Sequence, residues 1–193
     1  MKRFLNMKLS IFLLFLSVQS FGQGLSIKEQ ARKVISELKR SNDIPIDAND
    51  TLIDLNGDGF KDLLIEYYSA NGTGIKNGIE AYVYDKSKKK LKPCEPLKYL
   101  ANPTFYFNKK IVAGYYLGNG GGTATKLKWN GLQLDTLENI DIQVIHKGST
   151  LSFNLTSVNY LTKRQSFKAL KTMALPEEYK FMDYQPVIKE NKR

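Results

Sequence analysis

The stretch Thr123–Leu137, TATKLKWNGLQLDTL, indicates the fold class of this chain more clearly than any other. Apolar and polar residues alternate on both sides of Asn130-Gly131, and this period of two is typical of strands with one buried face. Asn-Gly is a common two-residue turn of β-hairpins because both residues tolerate positive φ. That turn pairs apolar side chains on one face: Trp129 with Leu132, and Leu127 with Leu134. The stretch therefore predicts an antiparallel hairpin.

Strand-like segments of similar length recur on both sides of this hairpin. They are Thr51–Leu55, Asp62–Tyr68, Ile79–Asp85, Thr104–Phe107, Ile111–Leu117, Ile142–Ile145 and Leu151–Val158. The C-terminal residues 164–182 predict a further strand and then a short helix. Many short strands at a spacing of about ten residues are typical of a sandwich, a barrel or a small propeller. We therefore predict a mainly β, antiparallel domain and leave these three architectures open.

One helix precedes the strands, over Ser26–Arg40. Ser26 is a suitable N-cap, Glu29 completes a capping box, and apolar residues follow at helical spacing. No linker rich in Gly, Ser or Pro divides residues 23–193, so the sequence predicts a single domain with this helix at its start.

Residues 1–22 have the pattern of a secretory signal peptide. A cationic start is followed by the apolar run Leu9–Val18, and small residues precede a cleavage site before Gln23. The run is about half the roughly 20 residues that a membrane span requires. We therefore predict a periplasmic or secreted protein without an integral span, and a retained N-terminal anchor is the alternative.

The chain of 193 residues has a formal net charge of +10, from 29 Lys and Arg against 19 Asp and Glu. Such an excess is typical of proteins that bind nucleic acid, an acidic membrane or an acidic partner. However, three of the cations lie in the leader, five in Lys86–Lys92 and three in residues 189–193. The remainder is balanced and has no basic stripe, so we predict no nucleic-acid partner.

The composition also limits catalysis and metal binding. A single cysteine, Cys94, excludes internal disulfides and Cys-based zinc sites, and a single histidine, His146, excludes multi-histidine metal centres. No Ser or Cys motif accompanies His146, and Cys94 is expected to be an inert thiol. The carboxylates of Glu66, Glu80 and Asp85 do not form a recognisable catalytic pair in the sequence. We therefore predict no catalytic residues, with a small secreted hydrolase as the minor alternative.

One loop carries recognisable chemistry, Asp54–Asp62, with the sequence DLNGDGFKD. Oxygen-bearing side chains stand at positions one, three, five and nine, the backbone carbonyl of position seven is available, and glycine stands at position six. Calcium prefers six to eight oxygen ligands, and alternate residues of a tight loop converge on one centre. The predicted ligands of a structural Ca²⁺ are Asp54, Asn56, Asp58, Phe60 through its carbonyl, and Asp62.

Two features separate this loop from an EF-hand. Position twelve is Ile65 instead of Glu, and the flanking segments read as strands. The alternative interpretation is an Asn-Gly and Asp-Gly turn whose carboxylates cap backbone amides. The loop and the Leu63-Leu64-Ile65 that follows it resemble the calcium loops of FG-GAP and related propeller repeats.

A longer part of the chain, Thr51 to about Ile142, resembles exported calcium-binding proteins of Gram-negative bacteria related to periplasmic inhibitors of invertebrate-type lysozyme. That group includes immunity proteins against peptidoglycan hydrolases. The resembling segments are residues 54–64, 81–85, 97–103, 114–123 and 127–131. The resemblance implies a propeller-like β fold with a structural calcium, and a loop that enters the cleft of a glycan-cleaving enzyme.

The loop that would make this contact is the glycine-rich Gly114–Gly122. A phosphate-binding loop is not expected, because a strand rather than a helix follows it. A flexible hairpin tip and a contact loop both remain open. The family loop presents a Ser-Gly-x-Tyr element, whereas residues 118–122 contain no serine. The predicted partner-binding residues are Tyr115, Tyr116, Asn119, Gly120 and Gly121.

The sequence thus predicts an exported, non-enzymatic calcium-binding protein that binds and inhibits a peptidoglycan hydrolase. A calcium-stabilised adhesion or glycan-binding module of the FG-GAP kind is the alternative.

Overall fold

The computed structural model describes residues 24–69, 76–118, 120–147 and 150–170. Its helices are α1 (Ile27–Arg40) and α2 (Glu95–Lys98), and Phe107–Lys109 form one 3₁₀ turn. Its strands are β1 (Asn49–Ile53), β2 (Asp62–Ser69), β3 (Lys76–Asp85), β4 (Lys90–Pro93), β5 (Thr104–Tyr106), β6 (Ile111–Gly118), β7 (Gly121–Asn130), β8 (Gln133–Lys147), β9 (Thr150–Asn159) and β10 (Arg164–Leu170).

The strands form two antiparallel sheets, and in each sheet chain neighbours are sheet neighbours. The first sheet has the order β1-β2-β3-β4, and the second has the order β10-β9-β8-β7-β6-β5. Neither sheet closes into a barrel within the described residues. Within each sheet, every pair of neighbouring strands is antiparallel. The prediction of a mainly β, antiparallel fold is confirmed.

The two sheets share one core. Its buried side chains include Leu64, Ile79 and Val83 from the first sheet. Val112, Leu127 and Trp129 of the second sheet belong to the same cluster. Because period-two strands direct alternate side chains to one face, a single face of each sheet supplies this cluster. Of the three architectures that the sequence left open, the arrangement matches a small sandwich.

Helix α1 covers the other face of the first sheet. The predicted capping box is present, with the Ser26 hydroxyl accepting from the Glu29 amide and the Glu29 carboxylate accepting from the Ser26 amide. The apolar stripe of the helix, with Ala31 buried, packs against Leu63, Ile65 and Leu91. The predicted helix is therefore confirmed.

The hairpin between β7 and β8 corrects the predicted register by one residue. Asn130 pairs with Gln133 and Trp129 pairs with Leu134, so the turn residues are Gly131 and Leu132. Gly131 has a φ of +60°, whereas Asn130 has no positive φ. A glycine at the first turn position matches a type II′ turn rather than type I′. This register buries Trp129 and leaves Leu132 exposed at the tip.

The structure also differs from the sequence-based prediction in two local respects, whereas Cys94 is as expected. The segments predicted as strands before and after residue 140 are one continuous strand, β8. The sequence did not predict β4 or α2, which lie on either side of Cys94. The thiol of Cys94 is buried, and this burial raises its pKa to about 11, as expected of an inert cysteine.

Some predictions lie outside the described residues. These are the leader 1–22, the partner-binding candidate Asn119, and the part of the C-terminal prediction that follows residue 170. No helix in the described part of the chain has the length and apolar character of a membrane span.

Candidate metal centre

The loop between β1 and β2 is a compact turn built around the Asp54 carboxylate. Its Oδ1 accepts the amides of Gly57 at 2.7 Å and Asp58 at 3.1 Å, and its Oδ2 accepts the amide of Gly59 at 2.8 Å. Gly57 and Gly59 have φ values of +73° and +89°, which side chains larger than glycine rarely adopt. The two glycines therefore permit the chain to turn back around Asp54.

Asn56 connects the loop to the second sheet. Its side chain is 2% exposed, and its Oδ1 accepts the Asp58 amide at 3.1 Å. Its Nδ2 donates to the Gly131 carbonyl at 3.2 Å, in the turn between β7 and β8. The Asp58 carboxylate accepts the amide of Phe60 at 2.9 Å. Positions three and five of the loop are thus held by hydrogen bonds of their own turn and of a neighbouring hairpin.

Asp62 connects the loop to the interior of the first sheet. Its side chain is fully buried, its Oδ2 accepts the Leu55 amide at 2.8 Å, and its Oδ1 accepts the Tyr84 amide at 2.8 Å. Burial raises the pKa of this carboxyl to about 6, and the two amides oppose that rise. The negative charges of Asp58 and Asp54 raise it further, which places all three carboxylates within electrostatic reach of one another.

The remaining predicted ligand is the carbonyl of Phe60, a residue whose ring makes aromatic and cation–π contacts. Its ring lies 5.7 Å from that of Tyr84, and the Lys86 ammonium stands 6.0 Å from its centroid. The ring is 38% exposed, so this position lies at the surface while Asp62 lies below it. The loop therefore has an inner and an outer side.

The oxygens of the loop have the chemistry that calcium prefers, and they already accept backbone amides. An ionised carboxylate offers about four acceptor sites, so Asp54 Oδ2 and the two Asp62 oxygens, which each accept one amide, retain a lone pair. Asp54 Oδ1 already accepts two amides. In the ranges that the structure describes, no three His, Cys, Asp or Glu side chains form a preformed group that could hold a metal. The arrangement shows the amide capping of the alternative interpretation, and the donor set fits a calcium loop in type.

Lys110 also contacts the loop, although no pattern in the sequence indicated this contact. Its Nζ donates to the Gly57 carbonyl at 3.2 Å, and its own carbonyl accepts the Trp129 amide at 2.9 Å. The residue has a φ of +53° at the end of the 3₁₀ turn. A lysine 53 residues away in the chain reaches the loop only because the two sheets pack together.

The predicted partner-binding residues lie in the hairpin of β6 and β7. The strands pair as far as Gly118 with Gly121, so only two residues connect them. Tyr115 and Tyr116 are half-buried residues of β6, and Gly120 is exposed in the turn. Successive strand residues point to opposite faces, so the two tyrosines do not share one surface.

Gly121 has a structural role within that hairpin. Its φ is +140°, and a Cβ atom there would lie 2.1 Å from the Ile142 carbonyl of β8. A Cβ at Gly120 would meet nothing within 4 Å. The close approach of β7 and β8 therefore requires glycine at position 121, whereas position 120 tolerates a side chain.

The acidic residues considered for catalysis are separate structural groups. Asp85 accepts from Ser87 and pairs with Lys92 at 2.7 Å, and these contacts hold its pKa below its usual range. Glu80 pairs with Lys98 at 3.1 Å and is almost fully buried. Glu66 is buried in β2, and His146 is exposed near the end of β8.

Comparisons with known proteins give little further information. No family model matches the sequence, and no curated protein matches it. A solved structure described as a Xanthomonas type IV secretion system related protein matches with a TM-score of 0.44 and 13% identity. The match covers 62% of this chain and 57% of that protein, so the chain spans under two thirds of its length. A similarity of this size does not extend to function.

Proposed function

We propose that this chain is an exported, non-enzymatic calcium-binding protein that binds and inhibits a peptidoglycan hydrolase. The observation that supports the metal is the charge of the loop Asp54–Asp62. Three carboxylates lie within electrostatic reach, one of them is fully buried, and the pKa of that one is raised in part by the other two. A divalent cation at the loop would neutralise this repulsion.

The residues that would hold the cation are those with oxygens on the loop. They are Asp54, Asn56, Asp58, the backbone carbonyl of Phe60, and Asp62. When bound, calcium would supply positive charge to a turn whose own carboxylates repel one another. Asp62 fastens this turn to β3 and Asn56 fastens it to the second sheet, so the ion would stabilise the packing of the two sheets.

The inhibitory part of the proposal rests on the resemblance to lysozyme inhibitors and immunity proteins. The hairpin of β6 and β7 is the contact element that the resemblance implies. Its turn is two residues long and carries the exposed Gly120, a shape that fits a narrow enzyme cleft better than a flat surface. Tyr115 and Tyr116 lie on β6, the strand that leads to this turn.

The calcium proposal is tested by thermal unfolding with excess chelator and with millimolar calcium. We expect calcium to raise the Tm of the wild-type protein and to leave the Tm of Asp58→Ala unchanged. Asp141→Ala is the matched control, because Asp141 is an exposed carboxylate of β8 outside the loop and outside the hairpin that Asn56 contacts. An equal Tm with chelator and with calcium would contradict the proposal.

The inhibition proposal is tested separately with a panel of muramidases and peptidoglycan amidases. We expect a stoichiometric complex and loss of cell-wall lysis with one enzyme of the panel. Replacing Gly120 by Trp should abolish the complex, because its Cβ points into open space and the ring would obstruct the hairpin tip without disturbing the fold. Retention of full inhibition by this variant would exclude the hairpin as the contact element.

A second candidate function, glycan binding, is favoured by exposed aromatic side chains. Phe107 stacks on Phe105 at 5.7 Å and is 40% exposed, and Tyr99 is 80% exposed. Flat aromatic faces at the surface are suited to stacking on sugar rings. Binding to purified peptidoglycan that Phe107→Ala and Tyr99→Ala abolish, with no effect on any hydrolase, would favour this function.

A further inference from the structure

A groove with a cationic rim lies between α1 and the turn that joins β3 to β4. Its volume is about 350 Å³, which is within the usual range of small-ligand sites. Four of its lining residues are lysines: Lys33 of the helix, and Lys88, Lys89 and Lys90 of the turn. The residues that line the groove belong neither to the loop Asp54–Asp62, called the metal loop below, nor to the hairpin of β6 and β7. It is called the lysine groove below.

Gln30 fixes the two walls of the lysine groove relative to each other. Its Nε2 donates to the Leu25 carbonyl at 2.8 Å and to the Lys89 carbonyl at 3.0 Å. Its Oε1 accepts the amide of Leu91 at 2.9 Å, which satisfies the outer edge of β4. One side chain thus bonds the residue before the N-cap of α1, the turn between β3 and β4, and the edge strand β4. The groove is therefore a fixed feature of the fold.

The lysines of this groove are available for a ligand. All four are exposed, and the ion pairs found among the described residues involve none of them. Glu37 is the acidic side chain among the described lining residues. By contrast, the neighbouring Lys92 is neutralised by Asp85. Four cations around one small volume repel one another unless an anion joins them.

Three of the residues that line the groove are apolar. They are Leu25, Val34 and Leu91, and Leu25 is 54% exposed. A ligand that satisfies both parts must carry negative charge at one end and hydrocarbon at the other. Inorganic anions meet only the first requirement.

The surrounding surface extends the same charge. Residues 27–40 and 85–92 together contain ten Lys and Arg against three Asp and Glu. The two segments that form the groove therefore carry a formal net charge of +7, which suits an extended anionic surface as well as a single anion. Lysines near an anionic membrane each contribute about 1 kcal/mol to binding.

We propose that the lysine groove binds the phosphate headgroup of an anionic phospholipid at a membrane surface. The lysines contact the phosphate, and Leu25, Val34 and Leu91 contact the glycerol and the first methylenes of the chains. This proposal is independent of the calcium loop and of inhibition. An exported protein with such a site would lie at the surface of the membrane that bounds its compartment.

The test is co-sedimentation of the processed protein, beginning at residue 23, with vesicles. We expect binding to vesicles that contain phosphatidylglycerol, weaker binding as salt rises, and no binding to pure phosphatidylcholine. The variant Lys33→Glu/Lys88→Glu should bind about tenfold more weakly or worse, since two cations become anions. The matched control is Lys163→Glu/Lys168→Glu, which reverses two exposed lysines near β10 and should change binding by less than about threefold.

The apolar part has its own pair of variants. Leu25→Ser should weaken vesicle binding severalfold, whereas Leu161→Ser, at a 73% exposed position between β9 and β10, should not. All four variants alter exposed or half-exposed side chains, and an unchanged Tm confirms that each is folded. Should Lys33→Glu/Lys88→Glu unfold, Lys33→Gln/Lys88→Gln replaces it, with a smaller loss expected.

Four results would overturn the proposal. They are equal binding to phosphatidylcholine vesicles, equal losses in the groove and control variants, no binding to phosphatidylglycerol at low salt, and binding of inorganic pyrophosphate without binding of vesicles. The last result would assign the groove to a soluble phosphate compound instead of a lipid.

Discussion

Acidification in the presence of a chelator should stabilise this protein, and Asp62 is the reason. The carboxyl is fully buried, and its pKa in the folded protein is about 6, against about 3.9 in an unfolded chain. Between these two values the folded state binds more protons than the unfolded state. The free energy of unfolding therefore rises as the pH falls through 6, and the gain is complete near pH 4.

The magnitude follows from the size of that pKa difference. A separation of about two pKa units corresponds to about 3 kcal/mol for the complete titration. Between pH 7 and pH 5 the gain from this one carboxyl is about 1 kcal/mol. Asp85 and Glu29 have lowered pKa values, so the stability that they contribute is lost only as the pH falls below their ordinary values near 4. Between pH 7 and pH 5, Asp85 and Glu29 therefore do not offset the gain in unfolding free energy that Asp62 provides.

The assay is urea unfolding followed by tryptophan fluorescence. Trp129 is the single tryptophan of the chain and is 5% exposed in the core between the sheets, so it reports global unfolding. Asp62→Asn is the matched variant, because it keeps the shape of the side chain and removes the titration. We expect the wild-type protein to gain about 1 kcal/mol between pH 7 and pH 5, and Asp62→Asn to gain nothing.

Calcium provides the second arm of the same experiment. A cation at the loop favours the ionised form of Asp62, so saturating calcium should remove the stabilisation by acid. The same pH dependence in the wild-type protein and in Asp62→Asn, both in chelator, would refute the reasoning about Asp62. An acid stabilisation that calcium leaves intact would instead count against the metal, because Asp62 would then titrate as before.

Three further substitutions test the framework around the sites, each measured by urea unfolding at pH 7. Gln30→Ala should cost about 1–3 kcal/mol, because it leaves the buried Leu91 amide without its acceptor. Gly121→Ala should cost more than about 3 kcal/mol, because its Cβ would overlap a carbonyl of β8, whereas Gly120→Ala should stay within about 0.5 kcal/mol. Leu64→Ala should cost about 2–5 kcal/mol, since this side chain is fully buried between the sheets. A loss under about 1 kcal/mol there would contradict the shared core.

The sequence predicted those parts of the fold in which the pattern and the local chemistry agree. The capping box of α1 and the alternating strands are of this kind, because their signals lie within a few residues of each other. The observed turn after Trp129 lies one residue later than the predicted Asn130-Gly131 turn, although Asn-Gly is a strong local signal. Burial of Trp129 opposite Leu134 outweighs the turn preference, and such tertiary effects are not visible in a short window.

Short edge elements were missed for a related reason. Strand β4 has four residues, of which Lys90, Lys92 and Pro93 are unfavourable in a strand. Its single inward side chain is Leu91, too little for a periodic signal. The strand exists because β3 pairs with one edge and Gln30 accepts the Leu91 amide on the other. Gln30 stands 61 residues away from Leu91 in the chain.

The contacts of the metal loop were likewise outside the reach of sequence reasoning, and they determine what its ligand would do. Asp62 bonds the loop to β3, whereas Asn56 and Lys110 bond it to the hairpin of β7 and β8 and to the turn before β6. The loop therefore contacts both sheets of the sandwich at the point where they meet. A ligand that orders this loop must stabilise the packing of the sheets and not only the loop. For that reason we expect calcium to shift the cooperative unfolding monitored by Trp129, and not merely a local transition of residues 54–62.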